Sequence, residues 1–128
     1  QTHDTMTQLS KRIQRKNQAL QSLIFDLIEA GRENNAPIWR TTAEALSAPT
    51  RQQPTVNLHD LNEVNTDDTL LIPGKVLGSG ILTKDNVTVA AHKYSSSARK
   101  AIEENGEAMT IRELLDTNTS GENIQIIT

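Results

Sequence analysis

The sequence predicts a mixed α/β fold, a small domain of short strands and short helices in irregular layers. Three observations carry this. Apolar residues recur at helical spacing in some stretches and alternate in others, so both periods are present. Turn and capping residues interrupt these stretches often, which keeps every element short. The alternation is irregular and lacks the ten-residue crossovers expected of a doubly wound sheet. At 128 residues the chain fits one domain with a modest core, and a hydrophobic content of 35% leaves room for a tail outside it.

Taken in order, residues 1–16 are polar, and SKRIQRK at 10–16 places four bases in seven positions; this stretch reads as a basic N-terminal tail, with 17–128 as a single globular domain. Asn17 is a good N-cap, and Leu20, Leu23, Ile24, Leu27 and Ile28 form an amphipathic stripe. A helix is expected over 17–30, ended by Gly31 in a left-handed turn. Thr41 and Glu44 spell a capping box, so TTAEALS reads as a second short helix stopped by Pro49. Trp39, the only tryptophan, is expected to anchor that helix on the core. VNL at 56–58 is a brief strand, HDLNEV a helical turn or two, and TLLIP a second strand after the Asp67-Asp68 turn. NVTVAAHKY at 86–94 alternates β-branched residues and reads as a third strand. SSSARKAIEEN is a helix with serines at its mouth, Thr110 and Glu113 box the start of TIRELLD, NTSGEN is a turn, and IQII a last strand.

Composition excludes several classes. Without cysteine there is neither a disulfide framework nor a thiolate metal site, which suits a reducing compartment. No apolar run approaches a membrane span, and the start QTHDTMTQLS lacks the apolar stretch of a secretory signal; a soluble cytoplasmic protein is expected. Catalysis finds few convergent groups. His3 falls in the tail, His59 and Asp60 are sequence neighbours that do not face each other on a helix, and His92 suits a core or RNA-facing position. No metal-ligand spacing and no nucleophile elbow occur, so neither enzyme, cofactor nor small-molecule substrate is expected.

Residues 73–80, PGKVLGSG, crowd a proline, three glycines and a lysine together. A Walker loop would need its lysine at the end and a helix after it, whereas Gly74-Lys75 opens this run. A dinucleotide fingerprint fails too, because counting on from Gly78 and Gly80 reaches Thr83. The run is still suited to presenting successive N–H groups as an anion nest.

Charge distribution favours that reading. The formal net charge is −3, yet residues 73–101 hold five bases against Asp85 alone. Residues 52–72 carry four acids and no base, and residues 102–128 carry six acids against Arg112. Fields act within a Debye length of about 8 Å at physiological salt, so the basic block can meet an anion despite the acidic total; scattered surface charge is the plain alternative. Ser95, Ser96 and Ser97 precede Arg99 and Lys100, joining hydroxyls, free helix N–H groups and cations at one helix mouth. With one Phe, one Trp and one Tyr there is no stacking platform for single-stranded bases. A nucleic-acid partner would therefore be held through phosphates, 2′-hydroxyls and shape.

The order VNL, LLIPGKVLGSGIL, VTVAAHKYSSSARKAI and GEAMTIRELLDTNTSGENIQII resembles the archaeal and eukaryotic large-ribosomal-subunit protein "eighteen-e" family, related in fold to bacterial large-subunit protein fifteen. The NQALQSLIFDLI helix, Trp39 and the segment ending Ala48-Pro49-Thr50-Arg51 match in order, so the likeness runs from about residue 10 to the end. The resemblance implies a structural, RNA-binding protein with large-subunit ribosomal RNA and neighbouring ribosomal proteins as partners. By position it implicates Lys11, Arg12, Arg15, Lys16, Arg51, Gly74, Lys75, Gly78, Ser79, Gly80, Lys84, Lys93, Arg99 and Lys100 in RNA contact; the helix-mouth argument adds Ser95. Gln18 and Thr119 stand where the family often has proline. The end at Thr128, without the basic extension of eukaryotic members, points to an archaeal source. A protein–protein adaptor working through the acidic segments is the competing expectation.

Overall fold

A computed structural model describes residues 9, 11–64 and 66–127. Helix α1 (Gln18–Glu33) starts at Asn17, whose side chain accepts from the Leu20 N–H at 2.8 Å. It buries Leu23, Ile24, Leu27 and Ala30, the face that the apolar stripe predicts. It does not stop at Gly31. The helix continues to Glu33, and the left-handed residue is Asn35 at φ 51°. Gly31 serves a different purpose: a Cβ there would sit 3.0 Å from the Ala36 carbonyl and 3.3 Å from the Trp39 Cβ, so its bareness lets the next helix pack close.

That helix, α2 (Pro37–Ser47), begins four residues earlier than the Thr41 capping box suggests. Proline at the first helical position has no N–H to leave unpaired and a preset φ. Thr41 therefore lies inside the helix and donates back to the Pro37 carbonyl at 3.2 Å. Trp39 is fully buried, and its Nε1–H donates to the Thr119 carbonyl at 2.8 Å, which ties the start of the chain to its distant end. A 3₁₀ turn (Thr50–Gln52) leads into strand β1 (Thr55–Asn57) and the single turn α3 (Leu58–Leu61).

Strand β2 (Thr69–Leu77) is longer than TLLIP and runs through Pro73-Gly74-Lys75-Val76. Most of the PGKVLGSG run is thus sheet, and only Gly78-Ser79-Gly80 remains loop. The register on β3 (Val87–Tyr94) shifts between Ile72 and Lys75, an irregularity at which a proline without an N–H is tolerated. Helix α4 (Ser96–Asn105), strand β4 (Gly106–Thr110), helix α5 (Ile111–Thr117) and strand β5 (Ile124–Ile126) complete the order. Thr110 and Glu113 form the expected capping box. β4 was not legible as a strand, since GEAMT has neither alternation nor a β-branched run.

Every recorded pairing is parallel: β1 with β2, β2 with β3, β2 with β5, and β3 with β4. The ten-residue α4 carries β3 to β4, so a crossover of that length does occur. β5 pairs with residues 69–71 of β2 and β1 with residues 75–77; the two short strands share the edge opposite β3. Side chains alternate across the sheet. Leu71 and Ala90 join Leu27, Trp39, Leu46 and Leu114 on one face, while Leu70, Ile72, Val89 and Ala91 join Leu61 and Ile102 on the other. The first of these clusters also contains Leu9 and Ile13, and residues 11–14 are helical. The tail drawn to residue 16 is therefore partly core, because two apolar residues four apart in sequence give the basic segment an inward face; residues 1–8 and 10 lie outside the described residues.

Candidate nucleic-acid interface

Parallel strands gather their carboxyl ends at one side of the sheet, the side where open α/β sheets place ligands. Here β1 runs into His59, β2 into Gly78-Ser79-Gly80, and β3 into the Ser95 cap of α4. These pieces touch. The Ser95 N–H donates to the Val76 carbonyl at 2.9 Å, and the His59 N–H to the Ser79 carbonyl at 3.3 Å. His59 Nδ1 also lies 3.2 Å from the Ser79 carbonyl oxygen. A Cβ on Gly78 would fall 2.1 Å from Ser97 Oγ. On Gly80, at φ 87°, it would fall 2.7 Å from the His59 Cβ. A side chain at position 78 would have to displace Ser97 Oγ, whereas Gly80 is required both by contact with His59 and by conformation. The loop is consequently held between α3 and the mouth of α4, with Ser79 exposed. At that mouth Ser95 Oγ accepts from the Ala98 N–H at 3.2 Å, and the other N–H groups of the first turn have no intrahelical partner.

Lys75 and Lys93 are register partners on β2 and β3 and both are exposed. Like charges side by side repel, a cost that an anion between them relieves. Beside them His92 is half-buried, and its pKa is lowered chiefly by burial, then by the charges of Lys93 and Lys16. Lys16 connects this pair to a second basic surface, a cleft of about 430 Å³ lined by Arg12, Arg15, Lys16, Ser47, Pro49, Arg51 and Gln52. Lys16 is anchored there by donating from Nζ to the Ala48 carbonyl at 2.8 Å. Ser47 and Gln52 carried no sequence signal beyond their nearness to Arg51.

Other sequence candidates stand apart. Gly74 lies within β2, where a Cβ would meet the Pro54 carbonyl oxygen at 2.0 Å, and the Lys75 N–H donates to that same oxygen at 3.0 Å. Its reason for being glycine is strand approach. Lys84 donates from Nζ to the Val64 carbonyl and lines a hollow with Asp67, Asp68 and Asp85 at the opposite end of the strands. Arg99 pairs with Glu103 at 2.9 Å and lies 5.9 Å from the Tyr94 ring centroid. The Tyr94 hydroxyl donates to the carbonyls of Met109 at 2.6 Å and Val89 at 3.0 Å, and burial pushes its pKa up to about 12. Lys11 and Lys100 are exposed, and Lys100 lines a shallow hollow on α4 with Ser96 and Arg99. His59 Nε2 does reach Asp60 Oδ1 at 3.3 Å, closer than helix neighbours were expected to come. Asp60 also accepts from the Asn57 N–H at 2.9 Å, so it is a capping group. Among the described residues no cluster of three His, Cys, Asp or Glu side chains is placed to hold a metal ion. No described helix is long and apolar enough to cross a membrane.

Fold and surface together define a small parallel α/β domain with one basic end. The chain belongs to the family of ribosomal proteins 50S-L15, 50S-L18e and 60S-L27A, whose model matches residues 21–110. It is 46% identical over 118 residues to the large ribosomal subunit protein eL18 of Methanopyrus kandleri, covering 87% of this chain and 92% of the relative. The protein of the same name from Methanococcus maripaludis is 42% identical, covering 91% and 98%, and that from Haloarcula marismortui 40% identical, covering 87% and 96%. The family is one of structural ribosomal components, and the chain is accordingly not an enzyme. The sequence resemblance pointed to the same family, and the relatives named here are archaeal.

Proposed function

We propose that this chain is a structural constituent of the large ribosomal subunit, in the cytoplasm, which binds folded large-subunit ribosomal RNA through the basic end of its sheet. One observation carries the reading. The carboxyl ends of β2 and β3 bring Lys75, Lys93, the Gly78–Gly80 loop and the Ser95 helix mouth together, with the Arg12, Arg15, Lys16 and Arg51 cleft adjoining through Lys16. The N-terminal segment to residue 16 and the domain over 17–128 act as one RNA-binding unit with neighbouring ribosomal proteins around it. Lysines, arginines and backbone N–H groups suit phosphate oxygens, and such contacts position a protein more than they read sequence. The acidic total charge is compatible with this because Lys75, Lys93 and the cleft arginines gather on one side while most acids lie elsewhere.

The test is binding of the full chain to large-subunit ribosomal RNA transcribed in vitro, measured across a salt series. Each phosphate contact contributes about 0.7 to 0.9 to the slope of log K against log salt. Lys75→Ala and Lys93→Ala are each expected to lower that slope by nearly one contact while leaving the unfolding curve unchanged. A shallow slope in the unsubstituted protein, unaffected by either variant, overturns the reading and favours the protein–protein adaptor.

A further inference from the structure

Only two large hydrophobic side chains are well exposed among the described residues, Phe25 at 53% and Ile81 at 78%. Phe25 sits on the outer face of α1. Ile81 is unusual in its setting, because it follows Gly80 directly and the backbone that carries it is fastened from several sides. Asn62 Nδ2 donates to the Ile81 carbonyl at 2.7 Å. The same Asn62 side chain, through Oδ1, accepts from the N–H groups of Thr83 at 2.8 Å and Lys84 at 3.2 Å. Asn105 Nδ2 donates to the Leu82 carbonyl at 3.4 Å, and Lys84 Nζ donates to the Val64 carbonyl. Leu82 points inward and is buried at 6% exposure. A loop so tied holds its next side chain out in one place. Fixing a contact group before binding removes an ordering cost that a mobile loop would have to meet at the moment of association.

We infer that Ile81 is an apolar anchor for the RNA itself, packing on the ribose and base surface of a nucleotide next to the phosphate held at the glycine loop. This rests on the RNA-binding reading above. The surroundings select RNA over protein. The loop that carries Ile81 is otherwise polar or bare at its surface: Ser79, Gly80 and Thr83 flank it in sequence, and His59 and Asn62 hold its backbone. Protein interfaces centre on clustered aromatic and aliphatic anchors. The shallow minor groove of an RNA helix presents riboses, 2′-hydroxyls and base edges together. A single branched side chain on a loop of hydrogen-bonding groups matches that mixture. Continuity points the same way, since residues 78–81 form an unbroken exposed or half-exposed run from the loop to the isoleucine.

Its signature differs from that of a lysine. Ile81→Ala is expected to weaken binding to in vitro transcribed large-subunit ribosomal RNA about tenfold with the salt slope unchanged, because an apolar contact releases no counterions. Ile81→Leu should retain most affinity, and Phe25→Ala should bind as the unsubstituted chain does. Asn62→Ala should weaken binding too, and combining it with Ile81→Ala should cost less than the two separately, since a loosened loop presents no anchor. Thermal unfolding of each variant separates lost folding from lost contact. If Ile81→Ala binds normally while Lys75→Ala still lowers the slope, the anchor is overturned and the RNA-binding reading stands. If Ile81→Ala spares RNA affinity but abolishes association with another ribosomal protein in a reconstituted large subunit, the anchor belongs to a protein contact and the inference is wrong. If neither Lys75→Ala nor Ile81→Ala matters, the RNA-binding reading itself fails.

Discussion

The two ends of the central strands β2 and β3 carry opposite charge. At the carboxyl ends of β2 and β3 stand Lys75 and Lys93, with the glycine loop and the α4 mouth beside them. At the amino ends stand Asp67 and Asp68 before β2, Asp85 before β3, Glu103 and Glu104 before β4, and Glu122 before β5. Because every recorded strand pairing is parallel, each short connection delivers its charge to a defined end of the sheet. A net charge of −3 is thus a sum over two dissimilar surfaces, and only local charge bears on the partner. The cations differ by place as well. The side-chain ammonium groups of Lys75 and Lys93 have no hydrogen bond or ion pair among the described residues, whereas that of Lys84, at the acidic end, is bonded to the Val64 carbonyl.

The sharpest way to break this contrast is to reverse charge at each end separately. Lys75→Glu with Lys93→Glu is expected to lower RNA affinity by at least about a hundredfold, given that a charged hydrogen bond contributes about 1.5–3 kcal/mol, and to lower the salt slope by about two contacts. Asp67→Lys with Asp68→Lys should change affinity by less than about threefold. Equal responses at both ends would show that a diffuse field, rather than local contact, governs binding.

Next in size is a matched pair of glycine substitutions. Gly74→Ala places its Cβ 2.0 Å from the Pro54 carbonyl oxygen, and Gly106→Ala places it 1.9 Å from that of Val87. Both neighbours are backbone and cannot rotate away, so each variant should lose about 3 kcal/mol in urea unfolding. Gly78→Ala meets Ser97 Oγ, a side chain that can turn aside; it should cost little stability and instead weaken RNA binding by disturbing the helix mouth. Lys84→Met should lower stability by about 1 kcal/mol with the RNA salt slope intact, which would separate it from Lys75.

Smallest is a pH effect. His92 has a folded pKa below its unfolded value, so the unfolded chain takes up its proton first as pH falls. Its contribution is present above the unfolded pKa of about 6.5 and is lost as pH drops through that value toward the folded one. His92→Asn should flatten the decline in stability on acidification, measured by urea unfolding at pH 7 and pH 5.

Much of the fold was legible because caps and periodicity are local. Asn17, Ser95 and Thr110 each cap the helix that their spelling announces. Misreadings arose where a local rule met a tertiary one. Pro73 and Gly74 look like loop punctuation, yet they lie in β2 because the sheet absorbs them at a register shift and Pro54 must approach closely. Thr41 and Glu44 spell a helix start that Pro37 pre-empts. GEAMT becomes a strand only through pairing with β3 and the close approach of Gly106 to Val87. For the interface, the sequence shows which segments are basic but not how each cation is engaged. Lys16, Lys84 and Arg99 meet partners at residues 48, 64 and 103, and the first two pairings exist only after folding.

β5 adds a kinetic consequence. It pairs residues 124–126 with residues 69–71 of β2, and the Ile127 N–H donates to the Leu71 carbonyl at 2.8 Å. The central strand therefore waits for a segment synthesised long after it. Sheets built from such distant pairings form slowly. Meanwhile Leu70, Leu71 and Ile72 offer an unpaired apolar edge to any neighbouring chain. On the proposed function, early capture of the basic end by RNA would keep nascent copies apart during that interval, so the charge segregation proposed to direct binding would also guard against aggregation.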